Sequence, residues 1–215
     1  MTIPEERPQT RGEELANAAS HATALLAATA AVPILVVAAV RHGSAMHVAA
    51  TSVFAATMVL LYAVSALYHA LPHAAAKRLF RKLDHGAIFL FIAGSYTPFA
   101  LGALEGPWGW TLFGLVWALA AVGITLKALD RAGHPVVSTG LYLAMGWLVV
   151  VAVKPLAAAV PLPGLALLAC GGAAYTVGVV FFVLDSKLRY AHFVWHLFVV
   201  AGTACHVFAV LDYSI

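Results

Sequence analysis

The chain has 215 residues, 63% of them hydrophobic and only 10% charged, with a formal net charge of +3 and a mean hydropathy of +0.93. A soluble domain carries roughly a quarter charged residues, so an ordinary soluble enzyme is excluded and an integral membrane protein is expected. The small positive balance fits a topology signal and gives no reason to expect nucleic acid, while Cys170 and Cys205 lie in apolar stretches and offer no disulfide framework.

The opening MTIPEERPQTRGEELAN is polar and acidic and lacks the basic start and short apolar core of a signal peptide. Residues 1–21 are read as a polar cytoplasmic tail; Glu13, Glu14 and Asn17 could form a short amphipathic helix before span one, but a solvated tail is the favoured reading. A membrane helix needs about 20 apolar residues. Such runs predict seven spans near 22–40, 47–69, 84–104, 108–128, 136–153, 163–184 and 190–211. The expected fold is therefore all-α, a single seven-helix transmembrane bundle over residues 22–215 with short connections and no internal repeat. Span two ends on SALYH, where Ser65 and His69 stand four apart. Span three opens with Asp84 and His85. Trp108 and Trp110 begin span four, as interfacial aromatics do. Pro33, Pro98 and Gly171–Gly172 fall inside spans, where bends or close packing are tolerated. Span seven opens with HFVWH, which sets His192 and His196 on one helix face, about 6 Å apart along the axis.

Loop charge supports this count. Ten of the twelve basic residues fall on the side that holds the N-terminus and the second, fourth and sixth loops; only Arg41 and Lys154 fall on the other. Basic residues favour the cytoplasmic side, so the N-terminus is expected inside and the C-terminus outside. Span two then ends, and spans three and seven begin, at the cytoplasmic leaflet. Ser65, His69, Asp84, His192 and His196 share that depth, provided the three spans are neighbours. Ionisable groups at membrane depth are costly and are usually partnered or functional. Three imidazoles suit one divalent ion, and catalytic zinc sites typically use three protein ligands and an open position. Asp84 could orient a water or accept its proton, and Ser65 could bond an imidazole or a polarised carbonyl. The parts fit metal-assisted hydrolysis of an amide or ester. A lipid is the natural substrate of a site open to the bilayer or cytosol. Affinity order alone would favour copper over zinc.

Taken singly, each residue has a plainer role. His69 suits a helix end, Asp84 an N-cap, and Ser65 a bond to the carbonyl one turn back. The His192/His196 pair could be an interhelical contact. His206 lies ten residues past His196, about 15 Å deeper, and is read as structural. His21 and His85 are interfacial or support the site from outside; His42, His47 and His134 carry no motif.

Four stretches together resemble the hemolysin III family, the bacterial branch of the progestin and adipoQ receptors: Glu13, Glu14, Asn17 and His21; SALYHA; LDHGAIFLFIAGSYTPFAL; and HFVWHLFVVAGTACHVFAV. The resemblance covers essentially the whole chain. It implies a seven-helix bundle with its N-terminus in the cytoplasm and one zinc ion near the inner leaflet. His69, His192 and His196 would be the ligands, Asp84 would contact zinc through water, and Ser65 would stand in the surrounding shell. The related adiponectin receptors and alkaline ceramidases imply lipid amide hydrolysis, serving membrane-lipid homeostasis. The receptor branches' long N-terminal domain is absent from this sequence, so hormone binding is not expected. A zinc-containing sensor without catalysis, a cytolysin and an ion carrier are the alternatives. The expected setting is a bacterial cell membrane, with membrane lipids and a lipid-like substrate as partners.

Overall fold

Seven helices are long and apolar enough to cross a membrane. The computed structural model describes residues 7–104, 106–129 and 135–214, and none of these forms a strand. Arg131 and His134, which figured in the sequence reading, lie outside the described residues, as do residues 1–6.

Helix α1 spans Arg11–His42 and therefore starts well before the expected span. A capping box begins it: the Thr10 hydroxyl accepts the Glu13 N–H at 3.3 Å, and the Glu13 carboxylate accepts the Thr10 N–H at 2.9 Å. Glu13, Asn17 and His21 are buried, so the polar stretch forms the opening turns of α1 and not a solvated tail. Hydropathy hides this, because these turns pack polar groups against polar groups.

Helix α2 covers Ala45–Ala70 and α3 covers Ala74–Pro98. The N-cap of α3 is His73, so Asp84 sits well inside the helix and its plain role as an N-cap falls away. Pro98 lacks the N–H that would continue the regular ladder. A π-helical turn, Phe99–Ala103, follows it, closed by the Leu104 N–H on the Phe99 carbonyl at 2.8 Å. Helix α4 spans Pro107–Ala128, with proline at its start, where the missing donor costs nothing.

The fifth span is broken. Helix α5, Pro135–Gly146, gives way to a 3-10 stretch, Trp147–Ala152, before α6 resumes at Val153–Ala159. Freed backbone groups inside a bilayer need protein partners. Tyr96 of α3 supplies them: its hydroxyl lies 2.7 Å from the Gly146 carbonyl and 2.9 Å from that of Met145, and it accepts the Val149 N–H at 2.9 Å. Helices α7, Leu162–Val183, and α8, Ala191–Tyr213, complete the bundle.

Packing follows chain order, with α1 against both α2 and α8, α2 against α3, and α7 against α8. Small residues permit close approach. A Cβ on Gly94 would overlap Thr57 at the α2–α3 contact, and one on Gly178 would press on Trp195 at 2.7 Å. Phe54, Tyr62, Phe91 and Val210 fill the interior, while Leu26 and Leu162 lie outward. Helix α1 thus stands between the helix that ends on His69 and the one that begins with His192.

Candidate metal centre

The three histidines converge. One ring nitrogen from each of His69, His192 and His196 lies within 4.8 Å of the others, and all three residues are buried. Ring centroids are 4.8 Å apart for His192–His196, 5.0 Å for His69–His192 and 5.1 Å for His69–His196. One helical turn sets the His192–His196 pair, and the packing of α1 against α2 and α8 brings up His69.

Each Nδ1 has a partner. That of His69 lies 2.8 Å from Glu14 Oε2, that of His192 lies 2.9 Å from Asp185 Oδ2, and that of His196 lies 3.1 Å from Ser20 Oγ. A carboxylate only accepts, so His69 and His192 carry their proton on Nδ1. The Ser20 hydroxyl donates to the Asn17 carbonyl at 2.8 Å and so accepts from His196. Neutral rings in this tautomer keep a lone pair on all three Nε2 atoms. His69 Nε2 is buried without a hydrogen-bond partner. An orphaned acceptor among imidazoles whose far nitrogens are held by oxygens is the arrangement of metal-ligating histidine. The cluster can hold a metal ion, and three imidazole nitrogens fit zinc or another imidazole-preferring divalent ion.

The surroundings are ordered by stacking and charge. His21 lies flat on His196, with centroids 3.5 Å apart and planes 7° from parallel, and meets Tyr62 edge-on at 5.1 Å. Asp84 and Ser65 are both buried. Both line a cavity of about 410 Å³ together with His192 and His196. From this polar end the cavity passes Phe91, Ile92 and Val199 and reaches Leu165. His206 lines its deeper part, donates Nδ1–H to the Gly202 carbonyl at 2.8 Å and packs on Tyr175, a structural role as expected. His85 also lines the cavity, against Phe182.

Outside the spans, Arg7 grips both Glu13 oxygens at 2.6 and 2.9 Å, and that carboxylate raises the guanidinium above its ordinary value. Glu13 also accepts the N–H of Tyr190 at 2.9 Å, the left-handed residue (φ 59°) that caps α8.

Sequence reasoning named Ser65, His69, Asp84, His192 and His196, left Glu14 in the polar tail without a role at the site, and missed Ser20 and Asp185. A signal for Glu14 and Ser20 existed: Thr10, Glu13, Glu14, Asn17 and His21 recur at helical spacing. Asp185, in the turn before α8, carries no periodic signal.

A family model described as haemolysin-III related matches residues 9–207. The chain is 44% identical over 201 residues to Hemolysin-3 of Bacillus cereus, covering 94% of this chain and 91% of that protein. It is 41% identical over 203 residues to the Hemolysin-3 homolog of Bacillus subtilis (strain 168), covering 94% and 95%. Human monocyte to macrophage differentiation factor is 36% identical over 138 residues, covering 62% of this chain and 55% of that one. No solved structure matches.

Proposed function

The chain is a multi-pass membrane protein of bacterial type that belongs to the haemolysin-III-related family, and on that premise we propose that its histidine cluster is a zinc centre hydrolysing a lipid amide or ester bond in membrane-lipid homeostasis. The observation that carries this reading is the adjacency of two features: the histidine cluster, and a cavity that two of its members, His192 and His196, line. Three imidazole nitrogens lie within 4.8 Å of one another, and the space beside them, about 410 Å³, is walled largely by apolar side chains. That is the size and character of a site for a small apolar molecule or one acyl chain.

The chemistry a zinc ion supplies there is Lewis acidity, which polarises a carbonyl and makes water a nucleophile near neutral pH. His69, His192 and His196 would hold the ion, their Nδ1 atoms being engaged by oxygens and their Nε2 atoms left for it. Asp84 accepts the proton of the attacking water and returns it to the leaving nitrogen or oxygen, so the amide or ester bond breaks to an acid and an amine or alcohol. Ser65, which lines the cavity with Asp84, is placed to orient that carboxylate. The apolar wall excludes bulk water and seats the chain. Positive-inside logic favours the cytoplasmic leaflet for the cluster, since Lys77, Arg78, Arg81 and Lys82 at the start of α3, and Lys187 and Arg189 before α8, lie at its end of the bundle.

The test is zinc content of the purified protein together with turnover of a long-chain lipid amide. Stoichiometric zinc is expected, with turnover abolished in His192→Ala. Absence of zinc from the wild type, or unchanged turnover in the variant, overturns the reading. If zinc is present but Asp84→Asn leaves every response of the protein intact, the metal is structural and a sensor is the better description. Cytolysis, which the Bacillus relatives' names carry, predicts leakage from liposomes bearing the pure protein; the outward Leu26 and Leu162 suit lipid contact more than a water-lined pore.

A further inference from the structure

Three neutral imidazoles leave a divalent ion with its whole charge in a buried setting, which is costly unless anions stand close. Asp84 supplies one. Two more carboxylates stand one hydrogen bond behind the ligands, Glu14 behind His69 and Asp185 behind His192. Resting on the zinc reading above, we propose that Glu14 is a positioning residue of the metal centre and that the polar opening turns of α1 are part of that centre.

The geometry is specific. Glu14 Oε2 holds His69 Nδ1 at 2.8 Å, which fixes both the ring plane and the tautomer that presents Nε2 to the ion. The other oxygen, Oε1, lies 2.6 Å from Lys77 Nζ in the first turn of α3. Lys77 in turn sits over the ring of Tyr68 at 5.1 Å, and Tyr68 leans on His69 at 4.5 Å. Six residues further along α1, on the side facing α8, Ser20 accepts from His196, and His21 stacks on that same ring. A single helix therefore orients ligands on both of its neighbours. Its start is anchored independently, because Glu13 ties Arg7 to the first turn of α8. Neither Glu14 nor Ser20 reaches the ion. They act by holding imidazoles, and Glu14 adds negative charge that raises the basicity of His69 as a ligand. Lys77 draws on the same carboxylate and opposes that effect.

The experiment measures zinc affinity of the full-length protein in detergent by competition with a chelator of known strength, together with the visible spectrum of the cobalt-substituted form. Glu14→Gln keeps the shape but removes the charge, and zinc should bind about ten- to a hundredfold more weakly, with a shifted cobalt spectrum. Lys77→Met should leave affinity unchanged or tighter. Zinc binding by Glu14→Gln within twofold of wild type overturns the proposal while leaving the zinc reading intact. Equal weakening by Lys77→Met also overturns it, because Glu14 would then act only through its ion pair. A wild type that holds no zinc removes the zinc reading itself, and this proposal with it. Should Glu14→Gln misfold, Glu14→Asp carries the test, since it withdraws the carboxylate by one methylene: weakened affinity supports the proposal and unaltered affinity overturns it.

Discussion

The two ends of the cavity are built differently. At the histidine end each ring of the cluster is pinned: each Nδ1 has an oxygen partner, His21 stacks on His196, and α1 packs against both α2 and α8. Along the fifth span the same cavity is bounded by a helix that breaks at Gly146–Trp147, touches α4 and α7 sparsely and leans on one tyrosine for its backbone. Chemistry needs ligands held to fractions of an ångström, whereas admitting a lipid needs a wall that yields. The contrast teaches that positional order in this bundle is concentrated where charge is buried.

The sharpest way to break that contrast is to remove a ligand. His196→Ala deletes one of the three proposed metal donors and the surface on which His21 stacks. Metal content should fall to background and lipid amide turnover by about a thousandfold or more. Retained metal would mean that the pinned end is not a metal centre. Asp84→Asn is the next largest. It should keep zinc at wild-type stoichiometry and lower turnover by about a hundredfold or more, the contribution of a positioned acid–base group. Loss of zinc in this variant would make Asp84 a ligand and not a proton carrier.

The bundle was legible because seven apolar runs separated by charge leave little alternative, and the histidine site because i,i+4 spacing and shared depth are both sequence properties. That the His69 end of α2 and the His192 end of α8 meet was not legible. It depends on α1 standing between them, and α1 buries Glu13 and Asn17 on a polar face that hydropathy reads as solvent. The early start of α3 was hidden in the same way, since Lys77, Arg78, Arg81 and Lys82 are charged yet helical. Nor does Gly146 announce a broken span. One glycine in an apolar run costs about 1 kcal/mol in an ordinary helix, and the compensation comes from Tyr96, fifty residues away. Asp185 acts through a turn, where spacing carries no message. What stayed hidden was polar pairing between elements distant in sequence.

Tyr96→Phe tests the yielding side. Removing one hydroxyl leaves the Gly146 carbonyl and the Val149 N–H without their partner in a medium that offers no water. Unfolding stability should drop by about 1–3 kcal/mol, while zinc affinity stays as in wild type. Equal loss of zinc would show that the two ends are coupled and that the contrast drawn above fails.

The smallest expected effect comes from Trp147→Phe. The Trp147 indole N–H donates to Thr176 Oγ1 at 3.1 Å, a side-chain hydrogen bond that joins the fifth span to α7. Thr176 keeps its own bond to the Gly172 carbonyl at 2.7 Å, so no donor is orphaned when the indole goes. Hydrogen bonds between membrane helices average about 0.6 kcal/mol, and a stability loss near that size is expected. If the fifth span moves aside to admit a lipid, weakening this link should ease entry. KM for a long-chain amide should fall by about twofold, the equivalent of 0.4 kcal/mol, with kcat and zinc affinity unchanged. A lower kcat at constant KM would instead tie Trp147 to the reacting end, about 15 Å distant if the lipid chain lies along α8 from His196 towards His206. The separation between a pinned centre and a yielding wall would then be wrong.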